Sequence, residues 1–259
     1  MFSVSFVVGQ KVFFMADAVE TIDELRSFDL RLIQPRLGYR FSLDPLLLCE
    51  FADIKDGERG VDLGTGCGVI PMALARSAAA VHFVGVEHQQ VMVGIAERNV
   101  QLNGLGELVT VLEEDVVHLR AHFHVSSFDL VTANPPYRKR GTGRISPRAG
   151  RDLARHESTA GLADFLAAAK YLVKPMGRIC FISHPSRLAE FFALATELKL
   201  APLRLRMVHG HGEADARMFM IELAKGRKGE LRVLPPLFVY GENGQKGEEM
   251  LNIQGRGNE

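Results

Sequence analysis

The chain has 259 residues, 47% of them hydrophobic and 24% charged, with 31 Lys+Arg against 31 Asp+Glu. A net charge of zero excludes a polycation that coats nucleic acid or membrane indiscriminately, so any nucleic-acid affinity has to come from a local patch. Cys49, Cys67 and Cys180 are odd in number and far apart, which gives neither a disulfide framework nor a Cys-pair zinc site and suits a reducing cytoplasm.

In chain order, residues 1–23 read as an N-terminal extension. Phe2 to Phe14 is apolar but broken by Lys11; it is too short to span a membrane and lacks the features of a signal peptide. Met15, followed by a polar, helix-friendly stretch, is the expected start. Residues 24–224 form the expected main domain. Gln34 to Phe41 is extended or turn-like, and Ser42 is placed to cap a helix entering through Asp44-Pro45.

From Arg59 onward, short β-rich runs alternate with helical ones, the pattern of a parallel sheet flanked by helices. Strands are predicted over Arg59 to Gly64, Val81 to Glu87, Leu108 to Leu112, Phe128 to Thr132 and Arg178 to Ser183. Helices are predicted over Val69 to Ala80, His88 to Asn103, Leu162 to Val173 and Arg187 to Leu198. Leu203 to Val208 and Arg217 to Leu223 can form a terminal antiparallel pair. Residues 225–259 read as a partly disordered C-terminal extension, with one more strand within Leu231 to Tyr240 and disorder over the last fifteen or so residues.

Five groups of residues carry chemistry. Asp62-Leu63-Gly64-Thr65-Gly66-Cys67-Gly68 stands at a strand-to-helix turn, where glycines let backbone approach a ligand closely. Its spacing is Gly-x-Gly-x-Gly, and Val69 occupies the place of a dinucleotide fingerprint's third glycine. Glu87, with His88 beside it, ends the second strand, where a carboxylate can accept bonds from ribose hydroxyls. In Glu113-Glu114-Asp115, strand alternation points one acid at the site and another at solvent; Asp115 is favoured for an adenine amine.

The fourth group is Asn134-Pro135-Pro136-Tyr137. Two prolines end the strand and stiffen the loop. The Asn134 side-chain oxygen and the Pro135 carbonyl then form two acceptors for a planar NH2 group, and Tyr137 can stack on a flat base. The fifth is the loop that follows. Arg138, Lys139, Arg140, Arg144, Arg148, Arg151 and Arg155 stand against Asp152 alone. These seven bases and one acid leave about +6, which reads as a phosphate-contacting stretch. His209-Gly210-His211-Gly212-Glu213 could be taken for a metal site, but glycines between the candidates favour a turn, and no metal is expected.

The glycine turn resembles motif I of the class I S-adenosylmethionine methyltransferases. Together with Asn134–Tyr137 it is similar to the amino-methyltransferases acting on adenine N6, guanine N2 or glutamine amide. Gln34-Pro35-x-x-Gly38-Tyr39-Arg40-Phe41-Ser42-x-Asp44 and Ala154-Arg155-His156-Glu157 narrow the likeness to the bacterial tRNA(Val) adenine-N6 methyltransferase family. The resemblance implies an α/β, Rossmann-like doubly wound sheet of about seven mostly parallel strands ending in the antiparallel pair. It also implies S-adenosyl-L-methionine as cofactor and a tRNA substrate, in the cytoplasm and away from membranes. Cofactor contacts are implied from Tyr39, Arg40, Ser42, Asp44, Asp62, Gly64, Thr65, Gly66, Cys67, Gly68, Glu87, His88, Asp115 and Asn134. Guanine-N2 methylation of ribosomal RNA, glutamine-N5 methylation of protein, and a binding module without turnover stay open at this point.

Overall fold

The computed structural model describes residues 20–36, 42–135, 160–227, 229–241 and 244–254. Its first pair of strands has no counterpart among the predicted elements: β1 (Glu20–Leu25) and β2 (Leu30–Pro35) form an antiparallel hairpin outside the main sheet. Helix α1 (Asp44–Ala52) follows. Its N-cap position is Leu43 rather than Ser42; the Ser42 hydroxyl accepts from the Asp44 amide at 3.4 Å, so it meets the helix one residue early.

The alternating part of the chain then gives β3 (Arg59–Leu63), α2 (Val69–Ser77), β4 (His82–Glu87), α3 (Gln90–Leu102), β5 (Val109–Glu113) and β6 (Phe128–Ala133). After it come α4 (Leu162–Leu172), β7 (Val173–Ser183), α5 (Leu188–Glu197), β8 (Leu200–His209) and β9 (Ala216–Lys225). The sheet order is β8-β9-β7-β6-β3-β4-β5. All neighbours run parallel except β9, which is antiparallel to both β7 and β8. These seven strands are the Rossmann-like sheet expected from the sequence.

The remaining chain adds to this core. β10 (Arg232–Val233) and β11 (Leu237–Phe238) pair with β8. Glu248–Gln254 forms helix α6, where the glycine-rich, charged composition suggested disorder. Met250 and Ile253, three residues apart on one face, are buried in the same core as α1, and that burial orders the segment.

Two cores lie on opposite faces of the sheet, which is why its strands read as near-continuous apolar runs. One core joins Leu30 and Leu32 of the hairpin to α1, α2 and α3. The other gathers α4 and α5 over Val61, Leu63, Val131 and Ala133. The end of α1 is fastened to the sheet by two arginines. Arg178 donates to the carbonyls of Ala52 and Asp53 at 2.7 and 2.6 Å. Arg204 donates to the Phe51 carbonyl at 2.9 Å and lies over the Phe51 ring. The last carbonyls of a helix have no partner within it, and these guanidinium groups supply one.

Candidate active site

Strand order reverses at β3 and β6: the chain steps outward from β3 to β4 and β5, then returns to pair β6 on the other side of β3. Ligands of open α/β sheets bind beyond the carboxyl ends of the strands at such a switch point. Register places the candidates there. Leu63 is level with Val86 and with Ala133, so Gly64, Glu87 and Asn134, each the next residue, end adjacent strands in one row.

The glycine turn between β3 and α2 has φ of 71° at Gly64, 58° at Gly66 and 81° at Gly68, values that side chains rarely adopt. The amides of Gly64 and Thr65 both donate to the Val86 carbonyl at 2.9 Å. The Gly66 amide donates to Glu87 Oε2 at 3.0 Å. Glu87 is 4% exposed, and its Oε1 accepts from the amides of His88 and Gln89 at 3.0 and 2.9 Å. A carboxylate offers about four acceptor positions. Three are filled by backbone, so the same side chain can hold the turn and still accept from a ligand hydroxyl. His88 Nδ1 lies 3.2 Å from Glu87 Oε1.

Asp62 is fully buried on the face of β3 opposite Val61 and Leu63. Its Oδ1 accepts from the Thr132 hydroxyl at 2.7 Å, which ties β3 to β6 two residues before Asn134. Burial pushes the Asp62 carboxyl up to about 7; the hydroxyls of Thr132 and Thr65 pull the other way, and the Glu87 charge adds to the rise. Among the described residues, Asp62 Oδ2 and Thr65 Oγ1 have no partner at ordinary hydrogen-bond geometry, but the Thr65 hydroxyl lies close enough to the carboxyl to lower it.

The three acids at the end of β5 have different surroundings. Glu113 is exposed. Glu114 meets His122 Nε2 at 2.7 Å and His118 Nδ1 at 3.4 Å. The Asp115 amide and the two imidazoles hold the Glu114 carboxyl below its usual range. Asp115 Oδ1 accepts from the Val117 amide at 3.2 Å and caps the short 3-10 turn Val116–Ala121, beside the strand ends. Pro135 is buried directly after Asn134. Ser42 and Asp44 lead into α1. Tyr39, Arg40, Pro136, Tyr137 and the basic residues from Arg138 to Arg155 lie outside the described residues. His209 Nδ1 meets the Ala214 carbonyl at 2.7 Å across the β8–β9 turn, and no metal-competent cluster of His, Cys, Asp or Glu occurs among the described residues.

Over residues 44–185, from Asp44 to the turn after β7, the sequence matches the family described as "Methyltransferase small domain". The chain belongs to that family. This methyltransferase is 32% identical to a tRNA1(Val) (adenine(37)-N6)-methyltransferase of Pasteurella multocida, over 71% of this chain and 76% of the relative. A protein of the same description from Aeromonas hydrophila is 27% identical over 74% of this chain and 79% of its own length. Among solved structures, a predicted O-methyltransferase from Agrobacterium tumefaciens superposes with a TM-score of 0.67 at 23% identity, covering 82% of this chain and 95% of that one. A tRNA m1G37 methyltransferase of M. jannaschii gives 0.57 at 15% identity, covering 82% and 56%. Both establish the fold.

The methyltransferase uses S-adenosylmethionine, and the residues at the switch point fit it: a turn with three glycines in the left-handed region, and acids at or just past the ends of β4 and β5. Three residues that shape this site give no local signal in the sequence. Thr132 looks like any strand threonine, yet it binds Asp62. Gly85 lies in the middle of β4, where a Cβ would come within 2.8 Å of Thr65 Cγ2, so only glycine lets the turn sit this low on the sheet. Asn99 reads as one more polar residue of α3, but it is fully buried.

Proposed function

We propose that this chain transfers a methyl group from S-adenosylmethionine to the exocyclic N6 of an adenine in tRNA. The observation that carries the reading is the alignment of Asn134 with Gly64 and Glu87 across three adjacent strand ends. In that row Asn134 and Pro135 would offer two acceptors to an amine beside the glycine turn. The names of the Pasteurella and Aeromonas relatives support adenine N6 over the other amines.

When bound, S-adenosylmethionine supplies an electrophilic methyl on a sulfonium. Glu87 and Asp115 would hold the ribose and adenine ends of the cofactor, and the Gly64–Gly68 turn would carry the rest. The target base leaves its stack to reach the pocket. The Asn134 side-chain oxygen and the Pro135 carbonyl accept the two N–H bonds of the amine and orient its nitrogen, while Tyr137 stacks on the ring. These acceptors would stabilise the positive charge that develops on N6 as it takes up the methyl group. The amine proton leaves for water after transfer, so no strong base is required. Positioning supplies much of the rate. The basic run Arg138–Arg155 contacts RNA phosphates, and a tRNA substrate puts the work in the cytoplasm. No helix among the described residues is long and apolar enough to cross a membrane.

The test incubates the enzyme and tritiated S-adenosylmethionine separately with total tRNA, ribosomal RNA and release factors, followed by nucleoside and amino-acid analysis. Label as N6-methyladenosine in tRNA is expected. Label confined to guanine in ribosomal RNA, to protein glutamine, or to nothing overturns the proposal.

A further inference from the structure

Asn99 sits in the body of α3, a position where asparagine is a poor helix former, and it is 0% exposed. A buried amide is tolerated only when its groups are paired, and here all of its bonds lead to backbone. Oδ1 accepts from the Ile33 amide at 2.6 Å, and Nδ2 donates to the Ile33 carbonyl at 3.0 Å. With these two bonds the side chain imitates a neighbouring strand and fastens β2 to α3. Nδ2 donates a second time, to the Cys67 carbonyl at 3.0 Å.

Cys67 lies between the left-handed Gly66 and Gly68 and is itself buried. The glycine turn is thus gripped from two elements: by the Val86 carbonyl and the Glu87 carboxylate of β4, and by the Asn99 amide of α3. The same helix also braces the far end of the turn, since a Cβ added at Gly68 would meet Ala96 Cβ at 3.3 Å.

We propose that Asn99 is a positioning residue for the cofactor, coupling the docked β1–β2 hairpin to the conformation of the glycine turn. The inference rests on reading that turn as the S-adenosylmethionine site. One molecule thereby contains its own control. Asn103, one helical turn further on, makes the same two-way pair with the Arg31 amide and carbonyl, both at 2.8 Å. The remaining bonds of its side chain go to the Asn99 carbonyl and Met72 Sδ, not to the turn. Both asparagines hold the hairpin, but only Asn99 reaches the cofactor loop.

The experiment compares Asn99→Ala with Asn103→Ala in the full chain, measuring S-adenosylmethionine affinity by calorimetry and stability by thermal unfolding. Leaving the Cys67 carbonyl unpaired in a buried site is expected to weaken cofactor binding by about tenfold or more in Asn99→Ala. Asn103→Ala stays within about twofold of wild type, though both lose thermal stability through the hairpin. Methyl transfer should show the effect in KM for the cofactor, with kcat at saturation nearly kept. If Asn99→Ala does not fold, Asn99→Asp replaces it; that side chain keeps the shape and the acceptor for Ile33 but has no donor for Cys67. Equal cofactor affinities in the two asparagine variants, or a loss in kcat alone, overturn the proposal. Failure of the wild type to bind S-adenosylmethionine would instead remove the reading of the turn itself.

Discussion

Replacing Glu87 with Gln tests whether a carboxylate is needed to hold the glycine turn. The change keeps size and shape. In the wild type, Oε1 takes the amides of His88 and Gln89, and Oε2 takes that of Gly66. A glutamine can reproduce only one half of this. With its oxygen toward His88 and Gln89, its NH2 faces the Gly66 N–H, donor against donor; flipped, it orphans two amides instead of one. A hydrogen bond to a charged group contributes roughly 1.5–3 kcal/mol, and about 1.4 kcal/mol is a factor of ten in affinity. Loss of the Gly66 bond alone therefore predicts S-adenosylmethionine binding weaker by about 10- to 100-fold. If Glu87 takes the ribose as proposed, losing its charge adds to this. Calorimetry with the cofactor and with its demethylated product measures the loss. Binding by Glu87→Gln within about twofold of wild type would refute the argument, because the amide cannot satisfy the three donors that define the turn.

Asn134→Ala is expected to reduce kcat by roughly 10²–10³-fold, by analogy with loss of a single transition-state hydrogen bond, while calorimetry finds cofactor affinity close to wild type. Asp62→Asn should change the pH dependence of stability. The folded chain holds a proton on Asp62 up to about pH 7, whereas an unfolded carboxyl releases it near 3.8. Wild-type stability therefore falls as pH rises through that window. The variant has nothing to titrate there, so its melting temperature should gain on wild type between pH 4 and 7; parallel curves would contradict the assigned burial. Changing Arg138, Lys139 and Arg140 to Ala should lower the salt slope of RNA affinity by roughly 0.7–0.9 for each phosphate those side chains neutralise, with cofactor binding unaltered. An unchanged slope would make that stretch a solvated charge run.

The parallel ladder was legible because strands covered on both faces are apolar throughout, and the glycine turn and Asn134-Pro135 mark where two of them end. Asp62, Glu87 and Asn134 could be found from chemistry plus strand position. The hairpin could not. Glu20–Leu25 is acid-rich, Ile22 is 61% exposed, and the chain reverses through Asp29 in the left-handed region rather than through a glycine. What holds β2 is a pair of asparagines 66 and 72 residues further on, a relation no local pattern carries. The start of β7 was hidden in the same way: Pro175-Met176-Gly177 reads as a turn, yet the strand runs from Val173 through Met176 at φ 66°. For α6, Met250 and Ile253 in a mostly polar segment mean little until the surface of α1 exists to receive them.

The arginine clasps at the end of α1 also impose an order on synthesis. The carbonyl of Phe51 waits for a guanidinium 153 residues later in the chain, and those of Ala52 and Asp53 wait across 126 and 125. At the roughly 5–20 residues per second of translation, the ribosome needs about 6–30 s to make up those intervals. During that time the helix leading from Ser42 and Asp44 has no anchor at its far end. Strands β3 through β5 are complete in sequence long before Arg178 of β7 and Arg204 of β8 can fix the end of the helix. A nascent chain halted before Arg178 would therefore carry the whole glycine turn and Glu87, but with the last carbonyls of α1 still unfastened. Cofactor capture by ribosome-bound chains of increasing length should rise only once Arg204 has left the exit tunnel.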